Sequence, residues 1–120
     1  MKRKIATALL TSALLMTSAS AAFAETEPNN TWETADVMFD NNSGDISNID
    51  DQDWFYTTGG GTLYLDHQSF FGNTDMYVYN ANMVRIGVYS TAGDEEVYLP
   101  YGTYYICVLG SSGHYALDWR

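Results

Sequence analysis

The sequence has few of the residues that commonly cross-link or positively charge a small protein. It contains one cysteine, two prolines and only five lysines and arginines, against fifteen aspartates and glutamates. A single cysteine excludes an internal disulfide, and after the first four residues the only basic side chains are Arg85 and Arg120. This balance argues against nucleic acid and anionic membrane surfaces as partners, because both are bound through clusters of lysine and arginine.

Long apolar runs are also missing, apart from the first part of the chain. Residues 1–24 begin with three basic side chains, continue with an apolar centre from Ile5 to Met16, and end in Ala22-Phe23-Ala24. This pattern is typical of a signal peptide, and its apolar centre is too short to span a membrane. We predict a secreted, extracellular protein cleaved after Ala24. The mature domain would then comprise residues 25–120, with a formal charge of −13.

A domain of this length buries only a little over ~60% of its unfolded surface, so its stability margin is small. Small secreted domains often compensate with disulfides, which are excluded here, and a bound metal ion is the next common device. Cys107 lies within an aromatic and aliphatic run. We interpret it as a small strand residue rather than as a reactive thiol.

Two oxygen-rich segments are candidates for holding such an ion. In the first, Glu25, Glu27 and Asn29 alternate and are followed by Asn30. Pro28 disfavours a helical conformation for the preceding residue. Alternate residues of an extended chain point the same way, so this segment would present a row of oxygen atoms along one edge.

The second segment carries Asp50, Asp51 and Asp53 immediately before the aromatic run that starts at Trp54. Two carboxylates about 5 Å apart repel by roughly 3 kcal/mol at an effective dielectric constant near 20. If the two segments meet in the fold, they therefore need a cation between them, and Ca²⁺ takes six to eight hard oxygen ligands. The alternative is that both segments are solvated turns that never meet.

The remainder of the chain reads as short strands separated by turns. β-Branched and aromatic runs recur at spacings of roughly 8–12 residues without helical periodicity, which is typical of an antiparallel sandwich or barrel. We predict an all-β protein, an antiparallel β-sandwich of jelly-roll type with about eight strands. Turns are expected at residues 41–44, 100–102 and 110–113, and a hairpin or sheet corner at Gly59-Gly60-Gly61.

Alternation along these strands assigns side chains to faces. Nine aliphatic positions should point inward: Leu63, Leu65, Met76, Val78, Val97, Leu99, Ile106, Val108 and Leu117. Five tyrosines should then point outward: Tyr64, Tyr77, Tyr79, Tyr98 and Tyr105. Tyrosine suits any half-buried strand surface, but it is also favoured at protein interfaces. The outward tyrosines are therefore either ordinary strand residues or a partner-binding surface.

Several motifs, in order along the mature chain, resemble the bacterial pre-peptidase C-terminal domain. They are Glu25-x-Glu27-Pro28-Asn29-Asn30-Thr31, Thr34-Ala35-Asp36, Asp50-x-x-Asp53-Trp54-Phe55, Gly61-Thr62-Leu63-Tyr64-Leu65, Asp75-Met76-Tyr77-Val78-Tyr79, Gly102-Thr103-Tyr104-Tyr105-Ile106 and Gly113-His114-Tyr115-Ala116-Leu117. The resemblance implies a non-catalytic β-sandwich that accompanies exported peptidases. It is also similar to clostridial collagen-binding domains, which chelate Ca²⁺. By position, the resemblance implies six metal ligands: Glu25, Glu27, Asn29, Asn30, Asp50 and Asp53.

These observations favour a secreted, calcium-stabilised binding module that contacts an extracellular protein or polymer. A separate partner of an exported peptidase, such as an inhibitor, chaperone or accessory subunit, is the alternative. A small hydrolase is less well supported, because His67 and His114 are the only histidines and no nucleophile-elbow or zinc-protease motif occurs. Ser69 lies close to His67 only in sequence.

Overall fold

The computed structural model describes residues 23–39 and 41–120, which form seven β-strands and one short helix. The strands are β1 (Phe23–Ala24), β2 (Asp36–Val37), β3 (Asn41–Ile46), β4 (Asp53–His67), β5 (Asn73–Asn80), β6 (Arg85–Tyr89) and β7 (Glu95–Trp119). A single turn of 3₁₀ helix covers Trp32–Thr34. Most of the predicted signal peptide lies outside the described residues. Its last two residues form β1, which pairs in parallel with β3.

Strands β4 and β7 are long and bent, so each contributes to both layers of a β-sandwich. Residue numbers rise along β4 while those of the β7 partners fall, from Asp53 opposite Val108 to Gly59 opposite Gly102. The two strands therefore run antiparallel. The first layer has the order β6-β5-β7-β4-β2, in which the β2–β4 pair is parallel. In the second layer, Leu63 of β4 lies between Val97 and Trp119 of β7, and β3 and β1 extend that sheet.

The predicted β-sandwich is confirmed, but several predicted turns are wrong. Residues 100–102 and 110–113 are bends within β7 rather than turns between separate strands. Glycine makes the second bend possible, because Gly110 and Gly113 have φ values of 149° and 135°. Gly59-Gly60-Gly61 is a sheet corner, as predicted, at which β4 continues into the second layer. The jelly-roll connectivity stays a prediction.

Two strands, β3 and β6, differ from the predicted pattern. Residues 41–44 belong to β3 instead of forming a turn. The Asn42 side chain is buried there, accepting a hydrogen bond from the Phe39 backbone and donating to the Leu117 carbonyl. The sequence pattern also missed β6, which pairs with β5 at the edge of the first layer.

The core lies between the two layers and follows the predicted alternation. Eight of the nine inward-facing positions are buried, and Val97 is partly buried against the same cluster. Phe55 and Tyr115 add the largest fully buried side chains, with their rings edge to face at 6.4 Å. Cys107 is buried among strands, as predicted, and burial raises the pKa of its thiol to about 12. The part of the chain that the structure describes contains no helix long and apolar enough to cross a membrane.

Candidate functional site

The segment after β1 and the start of β4 meet at one end of the sandwich. The Glu25 backbone N–H donates to the Ser43 carbonyl at 2.8 Å, and the Trp54 N–H donates to the Asn29 carbonyl at 2.9 Å. These bonds tie the first oxygen-rich segment to both layers. They place its side chains beside Asp53, the first residue of β4.

Three carboxylates converge at this junction. Oxygen atoms of Glu25, Glu27 and Asp53 all lie within 4.8 Å of one another. Glu27 is exposed, Glu25 is partly buried and Asp53 is fully buried. We refer to these three residues as the acidic cluster. Its members approach closely enough to share one ion, and no histidine or cysteine belongs to it.

Asp53 has fewer hydrogen bonds than a buried carboxylate requires. Its Oδ2 accepts a hydrogen bond from the Tyr115 hydroxyl at 2.7 Å, but its Oδ1 is buried without a partner. The pKa of Asp53 is raised to about 9, chiefly by burial; the hydrogen bond from Tyr115 opposes this rise and the neighbouring Glu25 adds to it. Burial also raises the pKa of Glu25 above its ordinary value. A cation would relieve the same desolvation and repulsion that protonation relieves here.

Asn29 supplies a second unpartnered oxygen in this region. Its side chain is fully buried, and its amide nitrogen donates to Glu25 Oε2 at 3.0 Å and to Asp36 Oδ2 at 3.2 Å. The Asn29 Oδ1 has no hydrogen-bond partner. A buried amide oxygen and a buried carboxylate oxygen without donors are both suited to a hard cation.

The other two predicted ligands, Asn30 and Asp50, make other contacts. With its amide nitrogen facing the second segment, Asn30 donates to the Gln52 carbonyl at 2.8 Å and to Asp51 Oδ1 at 3.2 Å. It therefore fastens one segment to the other. Asp50 is exposed, its backbone N–H donates to Asn48 Oδ1, and it is not part of the acidic cluster.

Sequence reasoning missed two residues that shape this site. Tyr115 donates to Asp53 and lies opposite Gly44 in the β3–β7 pair. A Cβ atom on Gly44 would collide with the Tyr115 hydroxyl and would lie 3.0 Å from the Glu25 carboxyl carbon. Glycine thus opens the space in which the tyrosine reaches Asp53. Only the register between β3 and β7 relates these two residues to Asp53, and the sequence does not reveal that register.

The five tyrosines predicted to face outward divide between the two layers. Tyr77, Tyr79 and Tyr105 belong to the first layer, on β5 and β7. Tyr64 and Tyr98 belong to the second layer, where Tyr64 stacks under Arg120 with 3.8 Å from the guanidinium carbon to the ring centroid. They therefore form two separate surfaces rather than one.

The residues considered for hydrolase chemistry are engaged elsewhere. The Ser69 hydroxyl accepts a hydrogen bond from the His114 backbone N–H at 2.7 Å. His67 Nδ1 lies 3.1 Å from the Thr74 hydroxyl, and its Nε2 lies 3.2 Å from the Phe71 carbonyl. Ser69 and His67 thus form no nucleophile–base pair in this arrangement.

Comparison with known proteins bears on the fold. No protein-family model matches the chain, and no curated protein matches it. Among solved structures, the chain is similar to the pre-peptidase C-terminal domain of a collagenase from Bacillus anthracis, with a TM-score of 0.51 and 10% sequence identity. The match covers 86% of this chain and 98% of that one. The chain has the fold of a pre-peptidase C-terminal domain. At this identity the likeness establishes architecture alone.

Proposed function

We propose that the protein is a secreted, non-catalytic binding module in which Ca²⁺ fastens residues 25–30 to the start of β4. The module would contact an extracellular protein or polymer through an outer face of the sandwich. The convergence of Glu25, Glu27 and the fully buried Asp53 within 4.8 Å carries this proposal. The fold of a pre-peptidase C-terminal domain supports the module role.

The donor set favours calcium over the other common metal ions. Every candidate ligand is an oxygen atom, which disfavours zinc and copper because they prefer nitrogen and sulfur ligands. Glu25, Glu27 and Asp53 would bind through carboxylates and Asn29 through its unpartnered Oδ1. An irregular set drawn from a loop and a strand end suits Ca²⁺, because Mg²⁺ demands near-ideal octahedral geometry.

Calcium would stabilise the domain by joining elements that are distant in sequence. Extracellular calcium modules have dissociation constants of roughly 10⁻⁴–10⁻³ M. At about 1 mM free Ca²⁺ this corresponds to ~0.4–1.4 kcal/mol of added stability. Such a contribution matters because small domains have net stabilities of only about 5–15 kcal/mol.

Thermal melting with and without calcium tests this proposal. We expect the melting temperature to rise with added Ca²⁺ and to fall in excess chelator. Asp53→Ala and Glu27→Ala should each abolish the shift, because each removes a carboxylate of the acidic cluster. Asp75→Ala is the matched control, because Asp75 lies on β5 and its carboxylate accepts a hydrogen bond from Asn73.

A contradictory result would be a melting temperature that neither rises with added Ca²⁺ nor falls when excess chelator is then supplied. Retention of the full calcium shift by both Asp53→Ala and Glu27→Ala would also exclude the proposed ligands.

A second candidate function is partnership with an exported peptidase, as an inhibitor, chaperone or accessory subunit. The specific observation in its favour is the fold similarity to a domain of a collagenase. Incubating the immobilised protein with a purified secreted metallopeptidase, with and without Ca²⁺, tests this alternative. Capture together with altered proteolysis would favour it over binding to a polymer.

A further inference from the structure

The outer face of the first layer carries a cross-strand row that is largely aromatic. Tyr79 of β5 lies opposite Tyr105 of β7, which lies opposite Tyr56 of β4. Arg85 of β6 and Val37 of β2 end the row. Because neighbouring strands are about 4.8 Å apart, these five positions span about 20 Å.

Ring contacts join Tyr56, Tyr105 and Trp32 in one group, and Tyr79 and Trp54 in a second. Ring centroids are 5.1 Å apart for Tyr56 and Tyr105, 5.8 Å for Trp32 and Tyr105, and 5.1 Å for Trp54 and Tyr79. Trp32 is 43% exposed and Tyr56 is 37% exposed. We refer to Trp32, Trp54, Tyr56, Tyr79 and Tyr105 as the aromatic platform. Mutual packing fixes the rings in place, so a ligand would order few side chains on binding.

Hydroxyl groups border the platform. Within the described residues, the Tyr56 and Tyr105 hydroxyls make no hydrogen bond to the protein. In the next row, Thr58 lies opposite Thr103, and their exposed hydroxyls are 3.1 Å apart. The surface therefore combines apolar rings with available donors and acceptors.

The platform differs from the rest of the surface in charge. The three cross-strand rows that contain Trp54, Tyr56 and Thr58 include no carboxylate. Their single cation is Arg85, whose guanidinium carbon lies 5.2 Å from the centroid of the Tyr77 ring. The chain as a whole has a formal charge of −10. An acidic polymer would be repelled by the molecule, and a basic protein would find no carboxylate on these rows.

We propose that the aromatic platform binds an uncharged polysaccharide. This inference rests on the proposed role as a binding module and names the chemical class of its ligand. The C–H faces of sugar rings would stack on the exposed rings of Trp32 and Tyr56, because aromatic ring faces carry partial negative charge. Trp54 is buried and would only pack against Tyr79. The sugar hydroxyls would exchange hydrogen bonds with the Tyr56, Tyr105, Thr58 and Thr103 hydroxyls.

Retention of the purified full chain on insoluble cellulose, chitin, curdlan and amylose tests the proposal, followed by calorimetric titration with the matching hexasaccharide. We expect retention on at least one of the four. Tyr56→Ala and Tyr105→Ala should each weaken binding roughly tenfold, as is typical for a central aromatic contact. Ligand should also shift the fluorescence of Trp32, and Trp32→Phe should remove that component.

Tyr64→Ala and Tyr98→Ala are matched controls, because both tyrosines belong to the second layer. They should leave binding within about twofold of the unchanged protein. Tyr56→Phe keeps the ring and removes one hydroxyl, so it should retain most of the affinity and would reveal whether loss in Tyr56→Ala arises from misfolding. Equal melting temperatures across the set provide the second check.

Three outcomes would overturn the inference: retention on none of the four polysaccharides, binding unaffected by the platform variants, or self-association through this face in sedimentation. Repeating the assay in chelator separates the two proposals. Platform-dependent binding without any effect of calcium on the melting temperature would support the polysaccharide site and contradict the proposed calcium site. A calcium-dependent melting shift without polysaccharide binding would do the reverse.

Discussion

The acidic cluster and the loop that carries Asp94 place the same chemical group in opposite surroundings. Asp94 is exposed, and its two oxygens accept hydrogen bonds from the Tyr64 hydroxyl and the His67 backbone N–H. The bond from Tyr64 is the main reason that the pKa of Asp94 is lowered. Asp53 is fully buried and one of its oxygens has no donor, so its pKa is raised.

The comparison shows that the presence of a carboxylate is a poor indicator of a cation site, and that its burial and hydrogen bonding decide. A solvated carboxylate that receives two hydrogen bonds is already stable as an anion. A buried one with a missing donor and a neighbouring carboxylate must take up either a proton or a metal ion. Of the two regions, only the acidic cluster contains a buried carboxylate that lacks a donor and has a second carboxylate beside it.

Replacing a glycine by alanine should give a large difference between the two regions in the free energy of unfolding. Gly44→Ala should cost about 3 kcal/mol, because the new Cβ collides with the Tyr115 hydroxyl beside Asp53. It should also weaken the calcium response. Gly93→Ala, next to Asp94, is the control: it meets open space but has a φ of 101°, so it should cost about 1 kcal/mol. Chemical denaturation measures both, and equal costs would contradict the crowding at Gly44.

A smaller difference should follow removal of a single hydroxyl. Tyr115→Phe deletes the donor to the buried Asp53 Oδ2 and should cost about 1–2 kcal/mol without calcium. Added Ca²⁺ should recover part of this loss, since the ion would compensate the charge of the same carboxylate. Tyr64→Phe removes the equivalent donor to the exposed Asp94 and should change stability by less than about 0.5 kcal/mol. Urea titrations with and without Ca²⁺ would show whether this ranking holds.

The most specific difference between the two regions concerns the pH dependence of stability. The folded pKa of Asp53 is raised to about 9 from an unfolded value of about 3.9. Folding therefore retains a proton, and that stabilisation is present below about pH 4 and is lost as pH rises toward 9. We expect the melting temperature of calcium-free protein to fall between about pH 5 and pH 9.

Saturating Ca²⁺ should flatten this dependence, and Asp53→Asn should remove it. Asp94 should act in the opposite sense. Its pKa is lowered in the folded protein, so its contribution is present above the unfolded value and is lost as pH falls below about 4. A calcium-free protein whose stability rose steadily from about pH 5 to pH 9 would contradict the assignment for Asp53.

Much of the core could be predicted from the sequence, because strand alternation is local. Leu63, Leu65, Met76 and Val78 are buried as the period of two requires. The connections between strands were harder to predict. Bends within β7 resemble turns in the sequence, because glycine is common in both. The β3 strand was missed at residues 41–44, since the Asn42 side chain bonds to the Leu117 carbonyl only after the distant β7 strand has come into place.

The candidate site was predictable where it depends on motif spacing and unpredictable where it depends on pairing. Glu25, Glu27 and Asp53 could be selected from two acidic segments. Tyr115 and Gly44 could not, because their relation to Asp53 depends on a register between β3 and β7. Asp50 shows the opposite problem: its residue type suits a ligand, but a turn carries it into solvent.

The bent course of β4 and β7 has a mechanical consequence. Since the same two strands run through both layers, neither sheet can peel away while the other stays intact. Opening the sandwich requires hydrogen bonds to break on both sides of the core together. Loss of structure should therefore be an all-or-none event, and amide protons at the centres of these strands should exchange with solvent only when the entire domain unfolds.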